Sequence, residues 1–110
     1  NTPPAPLATR LVEVFVHGED IRRPLGITHT PPVAQVVEAL SHQLRTSTAL
    51  GGSKQSAAGW RLVTTDADFA HGTGPEVHAT ALTLLMAVSG RRVAATDLTG
   101  PGAVRFASRH

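Results

Sequence analysis

The sequence has 110 residues, enough for one modest domain or for part of a larger protein. It is 41% hydrophobic with a formal net charge of +2, and its basic residues are scattered without an adjoining aromatic platform, which argues against nucleic-acid binding. Cysteine is absent, which excludes disulfides, thiolate metal ligands and a cysteine nucleophile of its own. No apolar stretch approaches the roughly 20 residues that span a bilayer, and no signal peptide is evident at the start. We therefore expect a cytoplasmic protein that binds neither nucleic acid nor membrane.

The first predicted element is a helix over residues 7–25. Its apolar residues recur at helical spacing, although valines at alternate positions also fit a strand. In a strand, Glu13 and His17 would lie roughly 13 Å apart at ~3.3 Å per residue, whereas in a helix their Cβ atoms lie ~5–6 Å apart. Only the helix lets these two side chains act together. Pro24 and Gly26 end the segment.

A helical wheel separates the polar and apolar residues of this helix. One side carries Arg10, Glu13, His17, Asp20 and Ile21, and the adjoining side carries Leu7, Leu11, Val14, Gly18 and Leu25. A carboxylate and a neutral imidazole at positions i and i+4 can bind one divalent ion. Two ligands do not complete a site, because catalytic zinc usually takes three protein ligands. The alternative is a solvated face with a Glu13–His17 pair and an ion pair from Glu19 to Arg22 or Arg23.

The rest of the chain predicts an α+β fold. The segment PVAQVVEALSHQL (32–44) has the spacing of an amphipathic helix, and residues 49–59 have the composition of a flexible connector. Three short strands follow in 59–79, where the HGTGP turn suits a reversal, so we expect an antiparallel three-stranded meander. The segment TALTLLMAVSGR (80–91) is apolar nearly all round and predicts a buried helix with Thr80 as its N-cap. One more short helix is expected after the TGPG turn.

The remaining histidines and a pair of aspartates are weaker candidates for a site. His71 and His78 flank the predicted turn and can approach each other across a hairpin, but turn histidines are more often exposed. Asp66 and Asp68 resemble an acid–base pair, yet on a strand they would lie ~7 Å apart and more often cap a turn. The other histidines lie in a turn, on an outer helix face and at the terminus, namely His29, His42 and His110.

Three segments together resemble the mycothiol-dependent maleylpyruvate isomerase family of actinobacteria. They are VEVFVHGEDIRRPLGI, LGGSKQSAAGWRLVTTDADFAHGTGPEV and ALTLLMAVSGR, and the resemblance runs almost from end to end. Family members are about twice this long, with an N-terminal four-helix bundle of the DinB type and a smaller C-terminal domain of the sterol-carrier type. Where many relatives have Gly-Pro before the long apolar helix, this chain has Ala79-Thr80.

The resemblance implies a division of the chain into two parts. Residues 1–27 correspond to the last helix of a truncated metal-binding bundle, and residues 28–110 to the C-terminal domain, with its short antiparallel sheet packed on helices. The chain starts at Asn1 and continues with three prolines, a composition typical of an interior linker. We therefore expect the missing bundle of a parent chain to be the first partner of this segment, and homo-oligomers are a further possibility.

The resemblance also implies a metal centre and a reaction. In the family this helix supplies two of three metal ligands, a carboxylate and a histidine four residues later, at the positions of Glu13 and His17. The third is a histidine of an earlier bundle helix, so we expect this segment alone to be inactive. A divalent ion, zinc by preference, would hold the thiol of mycothiol as a thiolate. The whole enzyme would then isomerise maleylpyruvate or transfer the thiol to another small electrophile.

Two other classes of function stay open at this stage. The C-terminal domain can be a noncatalytic module that binds a hydrophobic ligand, as its sterol-carrier resemblance would allow. The whole chain can also be purely structural. No motif assigns catalytic or thiol-binding residues, since the sequence has no GxGxxG, P-loop, GxSxG or HExxH pattern.

Overall fold

The structure is a computed structural model, and it describes residues 5–46, 54, 55 and 57–108. The predicted α+β class is confirmed: the described residues form four α-helices and a small three-stranded sheet packed on helices. The elements in chain order are α1 (Ala5–Arg22), α2 (Val33–Arg45), β1 (Arg61–Thr64), β2 (Ala70–His71), β3 (Glu76–Ala79), α3 (Ala81–Val88), a 3₁₀ turn (Ala95–Asp97) and α4 (Ala103–Ala107). No helix in the part of the chain that the structure describes is long and apolar enough to cross a membrane.

Helix α1 confirms the helical interpretation of the first segment, but its buried face differs from the predicted apolar side. Phe15 and Val16 are buried in the core, together with the carboxylate-bearing Glu19. Val14 and Leu25, which the wheel placed on the apolar side, are 64% and 67% exposed. The difference arises because Phe15 and Val16 fill the contact with α2 and α3, and a helix packs on its neighbours with only part of its circumference.

Helices α2 and α3 form the centre of the core as predicted. The buried positions of α2 recur at helical spacing, at Val36, Leu40 and Leu44. Helix α3 is buried from Ala81 to Val88 except at Leu82, in agreement with its nearly uninterrupted apolar sequence. The start of α3 also agrees with the prediction of Thr80 as its N-cap, since the Thr80 hydroxyl accepts a hydrogen bond from the Thr83 N–H at 3.2 Å.

The sheet is mixed, so the prediction of an antiparallel meander is wrong. Strand β1 lies in the middle, with β2 antiparallel on one edge and β3 parallel on the other. The segment 72–75 therefore does not connect two neighbouring strands. It passes the start of β1 and connects the two edge strands, β2 and β3. A side chain at Gly72 or Gly74 would collide with the carbonyl oxygens of Trp60 and Gly59, and both glycines have positive φ. The two glycines serve this crossing rather than a hairpin.

The outer edge of β3 is closed by the chain that follows α3. His78 and Thr99 exchange two backbone hydrogen bonds, at 2.8 and 2.9 Å, and the Gly102 N–H donates to the Glu76 carbonyl oxygen at 2.8 Å. Helix α4 then packs on the same strand, and the ring of its Phe106 meets Trp60 edge-to-face at 5.3 Å. This closure leaves less free strand edge for pairing with another chain.

Candidate functional site

The two predicted metal ligands lie on the outward face of α1. Glu13 and His17 are both exposed, and the His17 side chain keeps 69% of its surface accessible. Because they are four residues apart on one helix, their side chains project from the same face. Val14 and Ile21 lie beside them and are 64% and 65% exposed. The polar pair is therefore part of a surface that also carries uncovered apolar side chains.

The donor set for a metal ion is incomplete within the residues described. Glu13 and His17 have suitable chemistry, an oxygen and a nitrogen ligand. Across 5–46 and 57–108, however, no group of three histidine, aspartate or glutamate side chains is close enough to hold an ion. A centre at this face therefore needs at least one further protein ligand.

Asp20 connects this face of α1 to the end of α3. Its carboxylate lies 4.0 Å from Nδ1 of His17, and it accepts hydrogen bonds from Arg91 Nε at 3.1 Å and Nη2 at 2.9 Å. The hydrogen bond from Arg91 is the largest influence on Asp20 and lowers the pKa of its carboxyl group, while the same contact raises the pKa of Arg91. Sequence reasoning missed this pair, because residues 71 positions apart show no spacing signal.

Glu19 forms the ion pairs that the alternative interpretation expected, and it forms both. Its carboxylate accepts from Arg22 Nε and from Arg23 Nε, each at 3.0 Å. Glu19 is only 5% exposed, so burial of a charge is tolerated here because two guanidinium groups neutralise it. The sequence did not predict this burial, because Glu19 and the exposed Asp20 are adjacent acidic residues that look alike in the pattern.

The structure does not bring the other candidate residues together. His71 and His78 lie on opposite edges of the sheet, because β1 separates their strands, so the predicted approach across a hairpin is wrong. His78 instead contacts Glu76, with Nε2 and Oε1 2.9 Å apart. Asp66 accepts the Ala81 N–H at 2.9 Å, so its carboxylate satisfies the start of α3 rather than the local turn that was expected.

The other two histidines that the structure describes lie apart from Glu13 and His17 in the chain. His29 is exposed in the segment between α1 and α2, and His42 is half-buried on α2. His110 lies outside the described residues.

Comparisons of the sequence with family models, with curated proteins and with solved structures find no match. The case for a function therefore rests on the residues and the geometry described above, together with the resemblance of the three segments.

Proposed function

We propose that this chain contributes two metal ligands, Glu13 and His17, to a cytoplasmic mycothiol-dependent isomerase or thiol transferase that acts on small electrophiles such as maleylpyruvate. The observation that carries the proposal is the exposure of both side chains on one face of a helix whose opposite face is anchored in the core. In the proposal, a histidine of a bundle helix outside this sequence is the third ligand. The same bundle covers Val14 and Ile21.

The residues around His17 suit a ligand role. A divalent ion bound at this face would ionise a thiol at neutral pH, which supplies the nucleophile that a chain without cysteine lacks. The Asp20 carboxylate lies beside Nδ1 of His17 at 4.0 Å. A negative charge there favours the tautomer with its proton on Nδ1, which leaves Nε2 as the nitrogen available to an ion. Arg91 in turn fixes the Asp20 carboxylate through two nitrogen atoms.

A noncatalytic module for a hydrophobic ligand has less support. The cleft between α2 and the start of α3, lined by Val33, Val36 and Leu82 among others, has a volume of about 180 Å³. Pockets for organic ligands usually have ~300–1,000 Å³. A groove of about 410 Å³ beside α4 is wider, but it is open to solvent and its Val104 is 74% exposed.

An activity assay separates the two functions. The longer gene product that the proposal requires, and the 110-residue chain, are incubated with mycothiol and either maleylpyruvate or a general thiol-reactive electrophile. Turnover is expected from the longer product only, and it should require added thiol and disappear with a chelator. Glu13→Ala and His17→Ala should abolish it, while the exposed Asp68→Ala should not.

Two results would overturn the proposal. Turnover by the 110-residue chain alone would mean that the site lies elsewhere. A longer product that is inert with every electrophile, but that binds a fluorescent fatty acid, would favour the hydrophobic-ligand module.

A further inference from the structure

A further cleft, lined by several charged residues, lies where the C-terminal ends of α1 and α3 meet. Its volume is about 170 Å³, and its lining is dominated by charged side chains of both signs: Glu19, Asp20, Arg23, Arg91 and Arg92, with Pro24 and Met86. This cleft lies beside Asp20, but it includes neither Glu13 nor His17.

Both carboxylates of the cleft already have cationic partners. Glu19 accepts from Arg22 and Arg23 at 3.0 Å, and Asp20 accepts from Arg91 at 2.9 Å. Arg91 also donates through Nη1 to the carbonyl oxygen of Ser89 at 2.9 Å. The cleft therefore offers little to a cation, because both of its carboxylates are already paired with arginines.

Two of the arginines keep donors for another group. Arg23 gives only its Nε to Glu19, and within the described part of the chain its two terminal nitrogens have no partner. Arg92 is exposed and makes no hydrogen bond or ion pair with any described residue. The buried Glu19 fixes the guanidinium plane of Arg23, so the terminal nitrogens are held in place before any ligand arrives.

The charges around the cleft leave a positive surplus. Three guanidinium groups line the cleft, those of Arg23, Arg91 and Arg92. Arg22 does not line it but pairs with Glu19, so four positive charges stand against two carboxylates. The C-terminal ends of α1 and α3 each add about half a negative charge, so part of the arginine charge offsets the helix dipoles. The two helix ends together offset about one of the two surplus positive charges, so a net positive charge remains for a ligand.

We infer that this cleft binds a small oxyanion, a carboxylate or a phosphate, between Arg23 and Arg92. Guanidinium groups match the geometry of such anions through paired N–H donors. The cleft has room for the anionic group of a small molecule rather than for a macromolecule. The inference does not rest on the metal centre, since none of its contacts involves Glu13 or His17.

A titration of the 110-residue chain tests the inference. Inorganic phosphate and succinate are added in separate arms, at constant ionic strength, while the arginine side-chain N–H signals are followed by NMR. Saturable shifts are expected at Arg23 and Arg92, and tighter binding in one arm identifies phosphate or carboxylate as the preferred group. Arg92→Gln should weaken binding by about tenfold or more, since it removes a charge-assisted contact.

The control variant is Arg45→Gln, which makes the same change in net charge at an exposed arginine outside the cleft. It should leave the affinity unchanged. Arg23→Lys keeps the charge but removes the paired donors, so it should also weaken binding. Two outcomes would overturn the inference: equal weakening by Arg45→Gln and Arg92→Gln, or shifts that grow linearly without saturation. Either would mean that the anion is attracted by the net charge of the chain and not bound in the cleft.

Discussion

At the residue scale, the three carboxylates and the histidine of α1 divide between two roles. Glu13 and His17 are exposed and have no partner from another element among the described residues, whereas Glu19 and Asp20 form ion pairs with arginines. Helical spacing was enough to predict that Glu13 and His17 share one face, but it did not predict that Val14 is exposed as well. It was not enough to predict that Glu19 is buried or that Asp20 pairs with Arg91, because both depend on how α1 lies against α3.

Asp20→Asn should lower the free energy of unfolding by about 0.2–1 kcal/mol at neutral pH, the range for ion pairs that are largely open to solvent. Arg91 keeps the pKa of Asp20 below its ordinary value of 3.8 in the folded chain. The stabilisation is therefore present above that value and is lost as the pH falls through the lower, folded pKa. Urea unfolding of both proteins should show a difference at neutral pH that narrows in acid.

The exposed Asp68 provides the control for this comparison. Asp68→Asn makes the same chemical change at a residue that has no partner among the described residues, so it should leave stability nearly unchanged at either pH. A difference between wild type and Asp20→Asn that stays constant down to strongly acidic pH would contradict the role of the carboxylate charge.

At the scale of elements, the sequence was sufficient for the helices and insufficient for the sheet. Helical spacing and Thr80 predicted α2 and α3, because those signals are local. Strand positions were also visible, but strands of two to four residues carry no signal of which neighbour they pair with. The parallel pairing of β3 depends on the crossing at Gly72 and Gly74, and the same glycines are equally compatible with a hairpin turn.

Gly74→Ala should test that crossing. Its new Cβ would collide with the Gly59 carbonyl oxygen at a φ of 135°, so we expect a loss of at least about 3 kcal/mol in unfolding free energy. Gly59→Ala is the matched control, since Gly59 has a φ of 89° but open space around the missing Cβ. It should cost only about 1–2 kcal/mol for the backbone conformation. Equal losses of unfolding free energy in urea would mean that the close approach of Gly74 to the Gly59 carbonyl oxygen does not matter for stability.

At the scale of the whole molecule, α1 has two apolar faces and only one of them is covered. Phe15 and Val16 are buried against the rest of the chain, so α1 is not simply a detached piece of another domain. Val14 and Ile21 of α1, and Leu25 in the turn that follows it, are at least 64% exposed. Apolar surface of this kind is usually a contact surface. The fold thus accounts for how α1 is held and leaves a face for the proposed bundle.

We expect the 110-residue chain on its own to self-associate through this outer face of α1. Ile21→Lys should shift the chain toward the monomer in sedimentation equilibrium, because it places a charge in the middle of the apolar face. Val104→Lys is the control, since Val104 is 74% exposed on α4. A wild-type chain that stays monomeric at all concentrations would count against this expectation, as would an equal effect of the two variants.

The metal content of the longer gene product that the proposal requires, purified without added metal, is the most direct test of Glu13 and His17 as ligands. Elemental analysis should find about one zinc or similar divalent ion per chain. Glu13→Ala and His17→Ala should each lose most of it, and Asp68→Ala should keep it. Full metal content in both the Glu13 and the His17 variant, with the fold intact by circular dichroism, would contradict the proposed metal centre.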